Sequence, residues 1–377
     1  MTTAPQGEPI AATRSVPAAG AKATDLPKRG PSLVVQAKTP RTLDEVRANL
    51  QLAVELEHAT LPAYLQAAYS LDESKNGVIA GMIIDIAMQE MEHFCQAANI
   101  LVAIGGSPAI DKPAFVPSYP GGLPKHIGTQ PGQKEFIVHL RGFSLDQVEN
   151  CFMVIEEPAD PIDILDSAPR LAASDIDDNY RTIGEFYEAI SNALGDLGES
   201  VFSGSATGQV YGMFGIKPIL SLKDAQDAIA RIVREGEGTP TSPEEGVADG
   251  DNGQMAHYYS FYEIYKGRKI AKAADGSWYF TDEVIPFDPT GVQALIDDPK
   301  QADYADGSVA AVQSQAFNVY YSNLLKALHQ SFNGDPDRIN DAIGLMFDLK
   351  IQAKMLMQLP MDGQPGKFCA PTWQYVP

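Results

Sequence analysis

The chain has 377 residues, 44% hydrophobic and 20% charged, enough apolar material to bury a core as one large domain or two interlocked subdomains, which excludes a disordered protein. Its 28 basic residues stand against 49 acidic ones, a formal charge of −21 that repels nucleic acid and anionic membrane surfaces, so neither is an expected partner. Cys95, Cys151 and Cys369 form no Cys-x-x-Cys pair and no even disulfide framework, and no apolar run approaches a membrane span or a secretory signal, so a cytoplasmic location is expected.

Residues 1–40, rich in Ala, Pro, Gly and Thr, read as a disordered or surface-draped N-terminal arm. Thr42 before Leu43, Asp44 and Glu45 offers a hydroxyl cap and first-turn acids, and predicts a helix running to about Leu71. Pro62 inside it removes a backbone donor and is expected to kink it. A second helix is predicted from about Asn76 to Ile104, stopped by Gly105-Gly106 and paired with the first across a short turn. Residues 108–132, dense in Pro and Gly, predict a long irregular connection. An extended piece at 136–140 precedes a helix over about 144–156, whose apolar face is Leu145, Val148, Phe152 and Ile155 and which Pro158 ends.

A third principal helix is predicted at about 179–197 and a fourth at 222–235. The Gly-, Pro- and acid-rich stretch 236–253 separates the fourth from a helical piece carrying His257, Phe261 and Ile264 on one side. Asp275-Gly276 within RKIAKAADGSWYF predicts a β-hairpin, and two more helices, about 308–332 and 336–358, follow. The expected organisation is the arm 1–40, a helical bundle with insertions over 41–270, and the hairpin with C-terminal helices over 271–377 packed on the bundle. No internal repeat is present.

The second helix holds the sharpest anomaly: Glu90 and His93 lie on the strip of Ile79, Ile83, Ile86, Ala97 and Leu101, where a buried face should be apolar. The first helix repeats it, with Glu57 amid Leu50, Val54, Leu61, Tyr64 and Ala68. Glu55 falls instead with Gln51, His58 and Gln66, and Glu92 with Asp85, Gln89, Gln96 and Asn99, sides expected to face solvent. Burying an unpaired carboxylate or imidazole costs several kcal/mol, and a cation compensates. Glu-x-x-His is a spacing that carboxylate-bridged dimetal centres use in four-helix bundles. Taken singly, each feature also fits a hydrogen-bonded core histidine or an interhelical salt bridge.

In the second half, Gln254 stands three residues before His257, where a second Glu-x-x-His would place a carboxylate. Glu237, in an EGEG turn whose glycines free the backbone, is the candidate replacement.

The segments LQLAVELEHATLPAYLQAAYS and IAMQEMEHFCQAANILVAIGGSP resemble the ferritin-like domain of the iminophenyl-pyruvate dimer synthase family of violacein and rebeccamycin biosynthesis. Further matches are VIEEP, TIGEFYEAI, IVREGEGT, HYYSFYEI and APTWQYVP, so that the likeness covers most of 43–377. It implies a mainly α protein with a ferritin-like four-helix bundle core, a long crossover, a small β-hairpin and extra C-terminal helices. It also implies metal ligation by Glu57, Glu90 and His93 from one half and by Glu185 and His257 from the other. Tyr64 resembles the helix-one tyrosine beside such centres and is the candidate catalytic residue, its alternative a locally bonded packing tyrosine. Glu185 lies off the arc of Ile183, Phe186, Ile190 and Leu194, and Glu188 competes with it.

Mixed carboxylate and imidazole ligation suits iron, expected as two ions, with manganese the alternative. The expected function is oxidation of a small organic substrate, which the resemblance makes an amino-acid-derived imine of secondary metabolism. The alternatives are a ferroxidase-type metal-binding protein without organic substrate and a metal-free helical scaffold. Homo-oligomerisation is left open. The sequence offers no phosphate-binding glycine loop, no Gly-x-Ser-x-Gly elbow and no dinucleotide fingerprint, and His126, His139 and His329 lack partnered spacing.

Overall fold

Helix α1, Leu43–Tyr69, opens on a capping box: the Thr42 hydroxyl accepts from the Glu45 amide while the Glu45 carboxylate accepts from the Thr42 amide. The helix carries Pro62 in its interior without ending there. The computed structural model describes residues 39–129, 134–165, 180–245 and 253–377, so the arm expected at 1–40 falls, but for its last two residues, outside the described residues.

Helix α2, Glu73–Ala103, begins three residues before the expected start because Asp72 caps it by accepting from the Ser74 amide. Asn76, the expected first residue, is a bend with φ −123° whose side chain exchanges two hydrogen bonds with the backbone of Asp288. The end is a Schellman motif: Gly105 takes φ +75°, its amide donates to Val102 and that of Gly106 to Leu101. A Cβ at Gly106 would lie 2.3 Å from the Leu101 side chain, which would have to shift to admit one.

The short helix α3, 145–155, passes through a π-helical turn at Val148–Phe152. Helix α4, Ile183–Leu197, packs along helix α5, Leu222–Glu237, and these two lie against α1 and α2 respectively. These four helices form the bundle, and helix α6, His257–Lys266, lies against α2, α5 and the π turn of α3. The expected hairpin is present as antiparallel β2 (Arg268–Lys272) and β3 (Trp278–Val284), and a short strand β1, Ile164–Leu165, which the hairpin signal did not reveal, pairs in parallel with β3.

Helices α7, Val309–Phe332, and α8, Ile339–Met357, form a hairpin that covers the outer side of α1 and α2. That cover corrects the expectation of a solvated face: His58, Gln66, Gln96 and Asn99 are all buried. His58 bonds the Tyr321 hydroxyl at 2.7 Å, Gln66 accepts from the Trp373 indole at 3.0 Å, and Asn99 pairs with the backbone of Val210. The three cysteines are unpaired and buried. Among the described residues no helix is long and apolar enough to cross a membrane.

Candidate metal centre

Glu57, Glu90 and His93 converge in the bundle interior, each about 2% exposed. His257 meets them from the first turn of α6 and is fully buried. One ligand atom each from Glu90, His93 and His257 falls within 4.8 Å of the others. His93 Nδ1 lies 3.9 Å from Glu57 Oε2, and His257 Nδ1 lies 2.7 Å from Glu90 Oε1 and 3.6 Å from Glu156 Oε2. The two imidazoles stack with centroids 5.4 Å apart.

Both histidines use their other nitrogen outward. His93 Nε2 donates to Glu235 Oε2 at 2.8 Å, and Glu235 is gripped at 2.5 Å by Nε of Arg231, whose Nη2 donates to Glu92 at 2.8 Å. His257 Nε2 donates to Gln89 Oε1 at 3.0 Å, the amide being oriented by its own donation to Glu245 at 3.0 Å. Such partners fix the tautomer so that each Nδ1 lone pair faces the centre. On the carboxylate side, Tyr64 donates to Glu156 Oε1 at 2.5 Å and Tyr187 donates to Glu57 Oε1.

Three buried carboxylates facing two imidazoles make a costly arrangement for the protein alone. Burial, then the neighbouring Glu90, push Glu57 well above the carboxylate range, and the same two causes raise Glu156. Burial opposes ionisation of Glu90 too, but His257 outweighs it and holds Glu90 below the ordinary range. His257 is the mirror case: burial disfavours the imidazolium, and the acids Glu156 and Glu90 override it. Here a proton does the work that a divalent cation would do better. The geometry agrees, because His257 Nδ1, although 2.7 Å from Glu90, is out of line for a hydrogen bond and has no aligned partner among the described residues, as expected of atoms directed at a common ion.

Two expected ligands are placed elsewhere. Glu185 is buried, but its carboxylate takes three hydrogen bonds from Arg181, and its amide is capped by Thr182. Thr182 thus caps the Glu185 amide as Thr42 caps that of Glu45, while the Glu185 carboxylate turns to Arg181, and the Thr-x-x-Glu spacing was the readable sign of the cap. The Glu237 carboxylate lies over the first turn of α4, accepting from the Gly184 amide at 2.6 Å, and burial pushes it up to about 7. Its rivals fare no better: Glu188 and Gln254 are exposed, and the helix bearing His257 begins at that residue, so no helical Glu-x-x-His register reaches back to Gln254.

Sequence reasoning missed Glu156, Glu235, Tyr187 and Gln89. Glu235 was legible by the rule that found Glu57, since it joins Ala225, Ile229 and Ile232 on the buried side of α5. Glu156 caps the end of α3, where the π turn displaces it from simple helical phase, and only the VIEEP match touched it. Gln89 was assigned to a solvated side that α6 covers. Of the unassigned histidines, His139 pairs with Asp298 at 2.6 Å, His126 with Glu135 at 2.7 Å, and His329 faces the Pro108 carbonyl at 3.1 Å.

A helical bundle that buries acids and imidazoles at its centre is the architecture of ferritin-like proteins. The ferritin-like family model matches residues 50–266, and the chain belongs to that family. It is 23% identical to dichlorochromopyrrolate synthase of Lentzea aerocolonigenes over 88% of its own length, while spanning 36% of that relative. Its fold is similar to the crystal structure of a ferritin-like protein from Caulobacter vibrioides, with TM-score 0.59 and 22% identity, over 89% of this chain and 99% of that one.

Proposed function

We propose that this chain is an oxidative enzyme that holds two iron ions among Glu57, Glu90, His93, Glu156 and His257 and acts on a small organic molecule. The observation that carries the reading is the pair of imidazoles whose Nδ1 atoms turn inward to buried carboxylates while Glu235 and Gln89 hold their Nε2 atoms. Bound there, the ions would supply one-electron redox chemistry and open coordination positions, with manganese the competing occupant.

The residues around the site do the positioning. Glu235 and Gln89 keep both imidazoles in the ligating tautomer. Tyr187 and Tyr64 each tie down one oxygen of Glu57 and Glu156, leaving the other free to ligate. Burial, and then the adjacent carboxylates, hold both phenols well above their ordinary range, so they remain proton donors at neutral pH. Tyr64 is thereby a positioning residue for Glu156. The likeness to dichlorochromopyrrolate synthase supports an organic substrate, and the resemblance to the iminophenyl-pyruvate dimer synthases supports an amino-acid-derived imine.

Elemental analysis of anaerobically purified protein tests the reading. About two iron per chain are expected, with an oxygen-dependent change in absorbance, and His257→Ala loses most of the metal. Protein that carries no transition metal and gains no thermal stability on adding ferrous iron overturns it.

A further inference from the structure

The candidate metal centre repeats its own parts. On one side His93 Nδ1 faces Glu57 Oε2, and the other oxygen of Glu57 accepts from Tyr187. On the other side His257 Nδ1 faces Glu156 Oε2, and the other oxygen of Glu156 accepts from Tyr64. Glu90 belongs to both, with one oxygen within 4.8 Å of a nitrogen of each histidine. Each half therefore offers an imidazole, a carboxylate tied by a phenol and a share of Glu90, so the facing side chains give neither half an advantage in kind.

The groups behind the imidazoles do differ. His93 Nε2 meets a carboxylate directly, Glu235 at 2.8 Å. Arg231 does not cancel that charge, because it lies between Glu235 and Glu92 and the three side chains together keep one negative charge. His257 Nε2 meets instead the neutral amide of Gln89 at 3.0 Å, and a carboxylate comes only one group further out, where buried Glu245 accepts from the amide nitrogen at 3.0 Å. A carboxylate acceptor draws the imidazole N–H toward itself about twice as strongly as a neutral carbonyl does, and it raises the basicity of the opposite nitrogen accordingly.

We propose that the two halves are unequal metal positions: the one at His93 fills first and the one at His257 fills last, with Gln89 as the positioning residue that keeps the Glu245 charge one amide away from His257. The proposal rests on the dimetal reading of the site. Its consequence is regulatory. At limiting divalent metal the chain holds a single ion, and the two-ion centre is completed only as free metal rises into the range of the weaker step, so metal supply sets the fraction of chains able to turn over.

The test titrates cobalt(II) into the full chain after removal of metal by a chelator, read by calorimetry and by the visible absorbance of the bound ion. The unaltered chain is expected to take up two equivalents in two steps. Repulsion between the ions also separates the steps, so two variants carry the test. Glu235→Gln leaves both imidazoles backed by an amide, and is expected to weaken the first step by about 10- to 100-fold while the second changes little. The exchange of Gln89→Glu with Glu245→Gln keeps composition and charge but brings the carboxylate against His257 with an amide behind it. It is expected to tighten the second step by about tenfold or more and to leave the first as it was. Should the exchanged chain not fold, the Glu235→Gln titration decides. Uptake of no cobalt by the unaltered chain overturns the dimetal reading and this proposal together. Uptake of two equivalents, with Glu235→Gln weakening both steps alike or the exchange leaving the second step no tighter, overturns the proposal alone.

Discussion

At the scale of single residues, the centre is a set of charges that only make sense together. Glu235 illustrates it: burial opposes its ionisation, yet the hydrogen bond from His93 and then the Arg231 guanidinium hold it at about 2. A permanent anion behind His93 raises the donor strength of Nδ1. Glu235→Gln keeps the shape and removes the charge, so metal affinity should fall about 10- to 100-fold in a competition against a chromophoric chelator. Unchanged affinity would remove Glu235 from the site's design. What the sequence disclosed at this scale followed one rule, an ionisable residue in an apolar stripe. That rule reached Glu57, Glu90 and His93, and applied to α5 it would have reached Glu235. It had no purchase on Glu156, which stands at a helix end; His257 shared a side with Phe261 and Ile264, but its ligand role came from the resemblance.

At the scale of elements, helix ends decided where acids go. The first turn of α4 shows the constraint: Gly184 lies against the Glu237 carboxylate, and a Cβ there would sit 2.6 to 2.7 Å from its atoms. Gly184→Ala must therefore displace a buried, hydrogen-bonded carboxylate, and a loss of about 1–3 kcal/mol is expected in urea melts. Gly195, in the same helix, offers the control, since a Cβ there would make an ordinary 3.5 Å contact with Gln226. Gly195→Ala should be neutral or stabilise by up to about 1 kcal/mol. Two substitutions of the same chemistry should thus carry opposite signs; equal effects would mean that Glu237 moves aside freely. Helix starts were legible where a cap preceded them, as at Thr42, and mistaken where a side chain bonded outside its helix, as at Asn76. The Thr182 cap on the Glu185 amide was readable from the Thr-x-x-Glu spacing, yet the resemblance gave Glu185 a ligand role.

For the whole molecule, the chief error of sequence reasoning was one of environment. Polar residues such as His58, Gln66 and Asn99 mark an outward face in a two-layer protein, yet α7, α8 and the segments beside them turn that face into interior. Periodicity cannot reveal it, because the covering residues lie hundreds of positions away. Trp373 is the clasp: it is 2% exposed, packs edge-on to Phe317 and Tyr321, and donates to Gln66. Trp373→Ala should cost about 3–5 kcal/mol, read as a fall in the thermal or urea midpoint, by opening a cavity and orphaning Gln66. A loss below about 1 kcal/mol would show the cover holding without its clasp. The contact joins positions 307 residues apart. At ribosomal speeds of roughly 5–20 residues per second, the early helices wait some 15–60 seconds before their lid is even synthesised. Nascent chains should therefore linger with a greasy, half-finished hairpin in view, and chaperone supply during expression becomes a determinant of yield.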